Sequence, residues 1–116
     1  MELNDEKIVE YISREDLMAI RENCPKLWNY WLGAGISGRL FRVILIGDEA
    51  DFVSDRGFRF VVRMGRDLQT GKVTSVVLHD LRFDVPTILL DKDKVAAIVM
   101  EFGVLRSGEL LKDTLV

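Results

Sequence analysis

Four groups of residues in this chain have types and spacings that bear on chemistry. Gly33-Ala34-Gly35-Ile36-Ser37-Gly38 spells GxGxxG, the spacing with which a strand-to-helix turn cradles a dinucleotide pyrophosphate. His79 stands next to Asp80, and an imidazole beside a carboxylate is the start of a general base. Asp48, Glu49 and Asp51 are hard oxygen ligands of the kind that hold divalent cations. Arg59, Arg63 and Arg82 could align as a basic stripe for phosphates.

The elements that must position these groups favour a plainer reading of each. A dinucleotide loop needs a strand before its first glycine and a helix after its last. Here the helical, tryptophan-rich "KLWNYWLG" precedes the motif, and only Arg39 and Leu40 lie between Gly38 and a strand-like run. The glycines read as a connection from helix to sheet, and no cofactor is expected. Neighbours on a strand point to opposite faces, so His79 and Asp80 do not pair simply, and a structural histidine is expected. No serine or cysteine is spaced as a nucleophile. The acids at 48–51 read as a solvated turn, and Asp80 and Asp84 lie where cross-strand ion pairs would neutralise the arginines. Cys24 is the only cysteine and His79 the only histidine, which excludes an internal disulfide and a soft-ligand zinc site. A non-enzymatic protein without catalytic, cofactor or metal residues is therefore expected.

The first 32 residues read as helical, with Asn4 or Asp5 as a cap and Ser13-Arg14-Glu15-Asp16 as a capping box before Leu17, Ile20 and Cys24. Pro25 restarts the helix, Leu27, Trp28, Trp31 and Leu32 share one face, and Gly33 stops it. Residues 40–46, apolar on both faces apart from Arg42, read as a central strand. Phe58, Phe60, Val62 and Met64 alternate with Arg59, Val61 and Arg63 in a second, half-exposed strand. Thr70-Gly71 turns the chain into a third, 73–83, where Leu81, Phe83 and Val85 oppose Asp80, Arg82 and Asp84. Pro86 interrupts pairing before a short fourth strand at 87–90. Residues 91–105 read as a helix capped by Asp91 or Asp93, with Val95, Ile98, Val99 and Phe102 on one face, although the same residues can alternate as a strand. "SGELLKDTLV" forms a short last helix or a tail.

The chain thus reads as one α+β domain over 1–116: a helical segment 1–37, a mostly antiparallel sheet of four or five strands over 38–90, and a helical segment 91–116. The alternative, with 95–102 as a strand, is a small Sm-like or SH3-like β-barrel behind N-terminal helices. The 116 residues, 48% hydrophobic and 30% charged, suit one core. "MELNDEK" lacks the basic start of a secretion signal, and the longest apolar run, Val43 to Ile46, is too short for a bilayer, so a soluble cytoplasmic protein is expected. Amides are scarce, a tendency of thermophile proteins. Residues 1–37 hold seven acids against four bases and 38–116 twelve of each, so charge gives no general pull towards nucleic acid.

Gly71-Lys72-Val73, Asp84 with Thr87-Ile88-Leu89-Leu90, and Val95 to Gly103 occur in an order that resembles the sterol-carrier-protein type of lipid-binding domain, over roughly residues 38–106. In that family a "dGkv" turn opens a strand, a "D-T-I-x-L" stretch closes the sheet, and a helix ending in glycine follows. The resemblance implies a curved, mostly antiparallel sheet under helices, a hydrophobic tunnel between the layers, and no catalytic residues. The family's last strand and helix have no counterpart beyond Leu110, a departure that leaves binding through a dimer as the alternative to a closed tunnel. The expectation is a non-enzymatic protein binding a lipid or fatty acyl ligand between sheet and helices, with Trp28, Trp31, Phe60, Val99 and Phe102 as lining residues. The other expectation is a homo-oligomeric interaction module, RNA-associated if the barrel forms.

Overall fold

A computed structural model of the chain describes residues 12–107. Two helices, α1 (Arg14–Asn23) and α2 (Pro25–Gly33), precede five strands, β1 (Leu40–Ile46), β2 (Glu49–Ser54), β3 (Arg59–Arg66), β4 (Val73–Asp80) and β5 (Thr87–Leu89). Helix α3 (Lys92–Arg106) follows. The strands form one antiparallel meander in the order β1-β2-β3-β4-β5, an α+β fold with an open sheet. The expected cap at Asn4 or Asp5 and the segment 108–116 lie outside the described residues.

The helix boundaries follow from local chemistry. Ser13 Oγ accepts the Asp16 amide at 3.0 Å, which starts α1. Pro25 occupies the first position of α2, where a missing N–H costs no hydrogen bond. Cys24, the residue before it, gives α2 no side-chain cap. Glu101 of α3 supplies one instead: its carboxylate oxygens accept the Leu27 amide at 2.9 Å and the Lys26 amide at 3.1 Å. Asp91 caps α3 by accepting the amides of Asp93 and Lys94, both at 3.0 Å. Residues 91–105 are therefore helical, and the barrel alternative falls with their strand reading.

Register places alternate residues on two faces. Val43, Phe52 and Phe60 stand in one cross-strand row, and Leu45, Ala50, Val62 and Leu78 in the next, on the face beneath the helices. Ile20, Leu27 and Trp31 come down from α1 and α2, and Val95, Ile98, Phe102 and Leu105 from α3, into one core. Trp31 stacks on Phe52 at 6.2 Å and 27°, and Phe52 meets Phe60 edge-on at 6.4 Å, so one aromatic row joins helix to sheet.

Three sequence expectations are corrected. Of the acids expected to solvate a turn, Asp48 does lie in the turn between β1 and β2, but Glu49 and Asp51 belong to strand β2, whose Ala50 and Phe52 enter the core. Its acids, on the face away from the helices, answer the arginines of β3: the buried Asp51 pairs with Arg59, and Glu49 reaches Arg63 at 3.7 Å. Those arginines are thus neutralised from β2, and Asp80 pairs instead with Arg82, at 2.7 Å. The run 40–46 is an edge strand rather than a central one, and its outer side is engaged where the Ile12 amide donates to the Phe41 carbonyl at 2.7 Å. The third strand ends at Asp80, so the alternating residues 81–85 form no strand. Asp80 Oδ1 accepts the Arg82 amide at 3.0 Å and the Asp80 carbonyl accepts the Phe83 amide at 3.0 Å, a local turn that takes the backbone groups a ladder would use.

Candidate ligand cleft

The turn after Asp80 creates the feature best suited to binding. Residues 81–86 leave the sheet and stand out beside the C-terminal half of α2. The side chains of Arg82 and His79 fix them there. The Arg82 guanidinium donates to both oxygens of Asp80 and, at 2.8 Å, to the Ala34 carbonyl just past α2. It also lies between two rings, 5.9 Å from the Phe58 centroid and 5.4 Å from that of Phe83. On the other sheet face, the His79 ring donates through Nε2 to the Phe83 carbonyl at 2.7 Å. His79 and Asp80 therefore point apart, as strand geometry requires, yet both hold the same loop.

Between this loop, α2 and the sheet lies a cleft of about 450 Å³. Phe60 and Leu78, 5% and 4% exposed, belong to its floor. Tyr30, Gly33 and Ala34 form the α2 wall, and Phe83 and Val85, 61% and 82% exposed, form the outer wall. Asn29, Asp80 and Thr87 add polar groups to the lining. The Arg82 hydrogen bonds hold the Asp80 carboxyl below its usual range, so it is ionised and already neutralised by its partner. The cleft thus combines an apolar interior with a few acceptors and no nucleophile poised beside a base.

The five lining residues read from the sequence occupy different places. Phe60 reaches the cleft. Trp31 is buried against Phe52, and Trp28 is half-buried against the core. Phe102 is buried on α3 beside the Arg106 guanidinium, 5.0 Å from its ring, and Val99 packs partly buried on the same helix. Tyr30, Leu78, Phe83 and Val85, which sequence reasoning did not assign to a site, stand with Phe60 instead. A helical wheel carries the signal for Tyr30, which flanks the buried stripe of α2. No comparable signal exists for Phe83 and Val85, because the loop's departure from the sheet puts them there.

The connection from α2 to β1 holds the glycine motif. Gly33 ends a helix and Leu40 begins a strand, the reverse of the order a dinucleotide loop needs. Gly38 adopts φ +98°, and a side chain there would run into the Asp55 carboxylate, which accepts the Arg39 amide at 3.1 Å. The turn itself therefore accounts for that glycine.

Among the described residues, no three His, Cys, Asp or Glu side chains cluster to hold a metal, and no helix is long and apolar enough to cross a membrane. Glu49 and Asp51 lie side by side on β2, and a hydrogen bond that the protonated Glu49 donates to the Asp51 carboxylate raises the Glu49 carboxyl above its usual value. Cys24 is fully buried, and that burial, followed by the charge of Glu101, pushes its thiol up to about 12, far from a nucleophile's range. Comparison of the chain with protein-family models, curated proteins and solved structures finds no match.

Proposed function

We propose that the protein is a non-enzymatic module that binds a small, mostly apolar ligand of lipid or fatty acyl type in the cleft between α2 and the sheet. The observation that carries this reading is the cleft itself. Its volume of about 450 Å³ falls within the usual range for small-molecule sites, and its lining is mostly apolar, with Asn29, Asp80 and Thr87 as a few polar groups. The sterol-carrier-type resemblance over residues 38–106 points to the same class of ligand, here held in an open cleft rather than a tunnel.

The energetics follow from burial. Each methylene removed from water contributes about 0.8 kcal/mol, so a tail of about eight carbons gains roughly 6 kcal/mol, equivalent to a Kd near 40 μM before ordering costs. The polar lining decides the end group. Both Asp80 oxygens are already engaged by Arg82, Asn29 and Thr87 offer neutral hydrogen-bonding groups, and none of the lining residues is a cation, so a hydroxyl or amide end fits better than a free carboxylate.

Titration with 1-octanol and with octanoate, followed by intrinsic fluorescence, tests this reading. Trp31 lies one residue beyond Tyr30 in the helix that forms the wall. Octanol is expected to shift the emission at micromolar to millimolar concentration and octanoate to bind several-fold more weakly. Gly33→Leu is the blocked control, because a Cβ at Gly33 meets nothing within 4 Å and a larger side chain there extends into the cleft. No response to either ligand in the unmutated protein, or an equal response in Gly33→Leu, contradicts the proposal.

A further inference from the structure

We propose that Glu49 and Asp51 are a proton-sharing carboxyl pair, through which mild acid tightens the β2–β3 part of the sheet instead of loosening it. The starting point is an unpaired atom. Asp51 is 7% exposed, its Oδ2 accepts from the Arg59 guanidinium, and its Oδ1 is buried with no hydrogen-bond partner among the described residues. A buried carboxylate oxygen without a donor is costly, so the groups around it decide what can serve it.

Register narrows the choice to one. Ile44 on β1 and Val61 on β3 stand opposite Asp51, and neither side chain carries a donor. His79 lies one strand further, beyond Val61, with its ring hydrogen-bonded to the Phe83 carbonyl. Arg42 is set back opposite Val53, and Arg59 is already on Oδ2. Glu49 stands two residues from Asp51, so both side chains leave the same face of β2, the one away from the helices. Its own neighbours across the strands are Ile46 and Arg63, and Arg63 Nη1 is 3.7 Å from Glu49 Oε1, beyond hydrogen-bonding distance.

Ionised, Glu49 brings Asp51 only a second negative charge. When Glu49 takes one proton from solvent, the new O–H donates to Asp51 Oδ1, the pair loses one negative charge, and the unpaired acceptor is satisfied. That bond, followed by burial and the charge of Asp51, raises the Glu49 carboxyl above its ordinary 4.5 against the opposing pull of Arg63 and Arg59. A carboxyl raised on folding stabilises the fold fully below its unfolded value and no longer does so once the pH passes its folded value. The carboxyls of Asp48, Asp67 and Asp80, held low by hydrogen bonds, lose their contribution only as the pH falls through 3.8. Between pH 7 and pH 4.5 the pair therefore works against the usual direction of acid denaturation.

NMR titration of the side-chain carboxyl carbons in the full chain, with urea unfolding at pH 7 and pH 4.5, tests the proposal. Glu49 is expected to titrate above 4.5, and Asp51→Asn to bring it back towards that value, since a neutral amide neither repels the charge nor accepts as strong a bond. The urea midpoint of the unmutated protein is expected to rise on going to pH 4.5. Glu49→Gln carries a permanent N–H donor, so its midpoint should already be higher at pH 7 and gain nothing in acid. Glu49 titrating at or below 4.5 overturns the proposal, and so does a titration unmoved by Asp51→Asn. An unmutated midpoint that does not rise, or one that rises equally in Glu49→Gln, overturns it as well. The titration of the unmutated protein and the Glu49→Gln comparison decide the matter even if Asp51→Asn fails to fold. Phe60 and Leu78 of the cleft lie on the other face of the sheet, so octanol binding is read independently.

Discussion

Replacing Glu101 by alanine should unfold the protein more easily than its place on a helix face suggests. Glu101 is 8% exposed and its two oxygens serve the second and third amides of α2, the groups an N-cap side chain would serve. Cys24 provides no such cap, and Pro25 removes only the first donor. The loss of a cap costs about 1 kcal/mol. Here the acceptor is a carboxylate and the Leu27 amide is buried, so leaving that donor unpaired adds about 1–3 kcal/mol. Alanine's better helix propensity in α3 returns only a few tenths of a kcal/mol. The expected destabilisation is about 3 kcal/mol, or a fall in Tm of roughly 10 °C for a domain of this size. Glu101→Gln keeps the volume and one acceptor and should cost about half as much. Urea unfolding followed by circular dichroism measures both. A loss below about 0.5 kcal/mol for alanine, or equal losses for alanine and glutamine, refutes the capping argument.

The same helix junction makes stability depend on alkaline pH. The Cys24 thiol ionises near 9.0 when unfolded but only near 12 when folded, so between those values the unfolded state binds fewer protons. Stability should therefore fall by about 1.4 kcal/mol per pH unit above pH 9 from this group, and Cys24→Ala should remove that part of the slope in urea unfolding. Arg82→Ala should weaken octanol binding several-fold by releasing the loop from Ala34, while Tm changes by no more than about 3 °C; unchanged affinity would show that the loop does not shape the cleft. Ala97→Pro, inside α3, should cost about 3 kcal/mol or more, whereas Asp91→Ala at its cap should cost about 1 kcal/mol, and equal small effects would count against the helix.

The helices were legible because their signals are local. Ser13, Pro25 and Asp91 act within a few residues of where they stand, and each marks a helix start in the structure. Strand β2 was hidden because Glu49 and Asp51 are stabilised by arginines that only the β2–β3 register brings near. Without that register, the acids look like a solvated turn. Residues 81–85 misled in the opposite direction. Their apolar alternation is real, but Asp80 offers its backbone and side chain to Arg82 and Phe83 before any ladder forms. β1 is apolar on both sides without being central, which composition alone does not distinguish. At the cleft, Phe60 was legible from strand alternation. Trp31 and Phe102 have the same apolar character, and only packing assigns them to the core while leaving Phe83 and Val85 on the wall.

The central claim, that the cleft between α2 and the sheet holds an apolar ligand, is tested most directly by native mass spectrometry of the purified protein with and without added 1-octanol. One ligand per chain is expected, either copurified or supplied as octanol, and Gly33→Leu, folded by circular dichroism, is expected to lose that adduct. A chain that carries no ligand and takes up no octanol contradicts the claim, as does an adduct that survives Gly33→Leu undiminished.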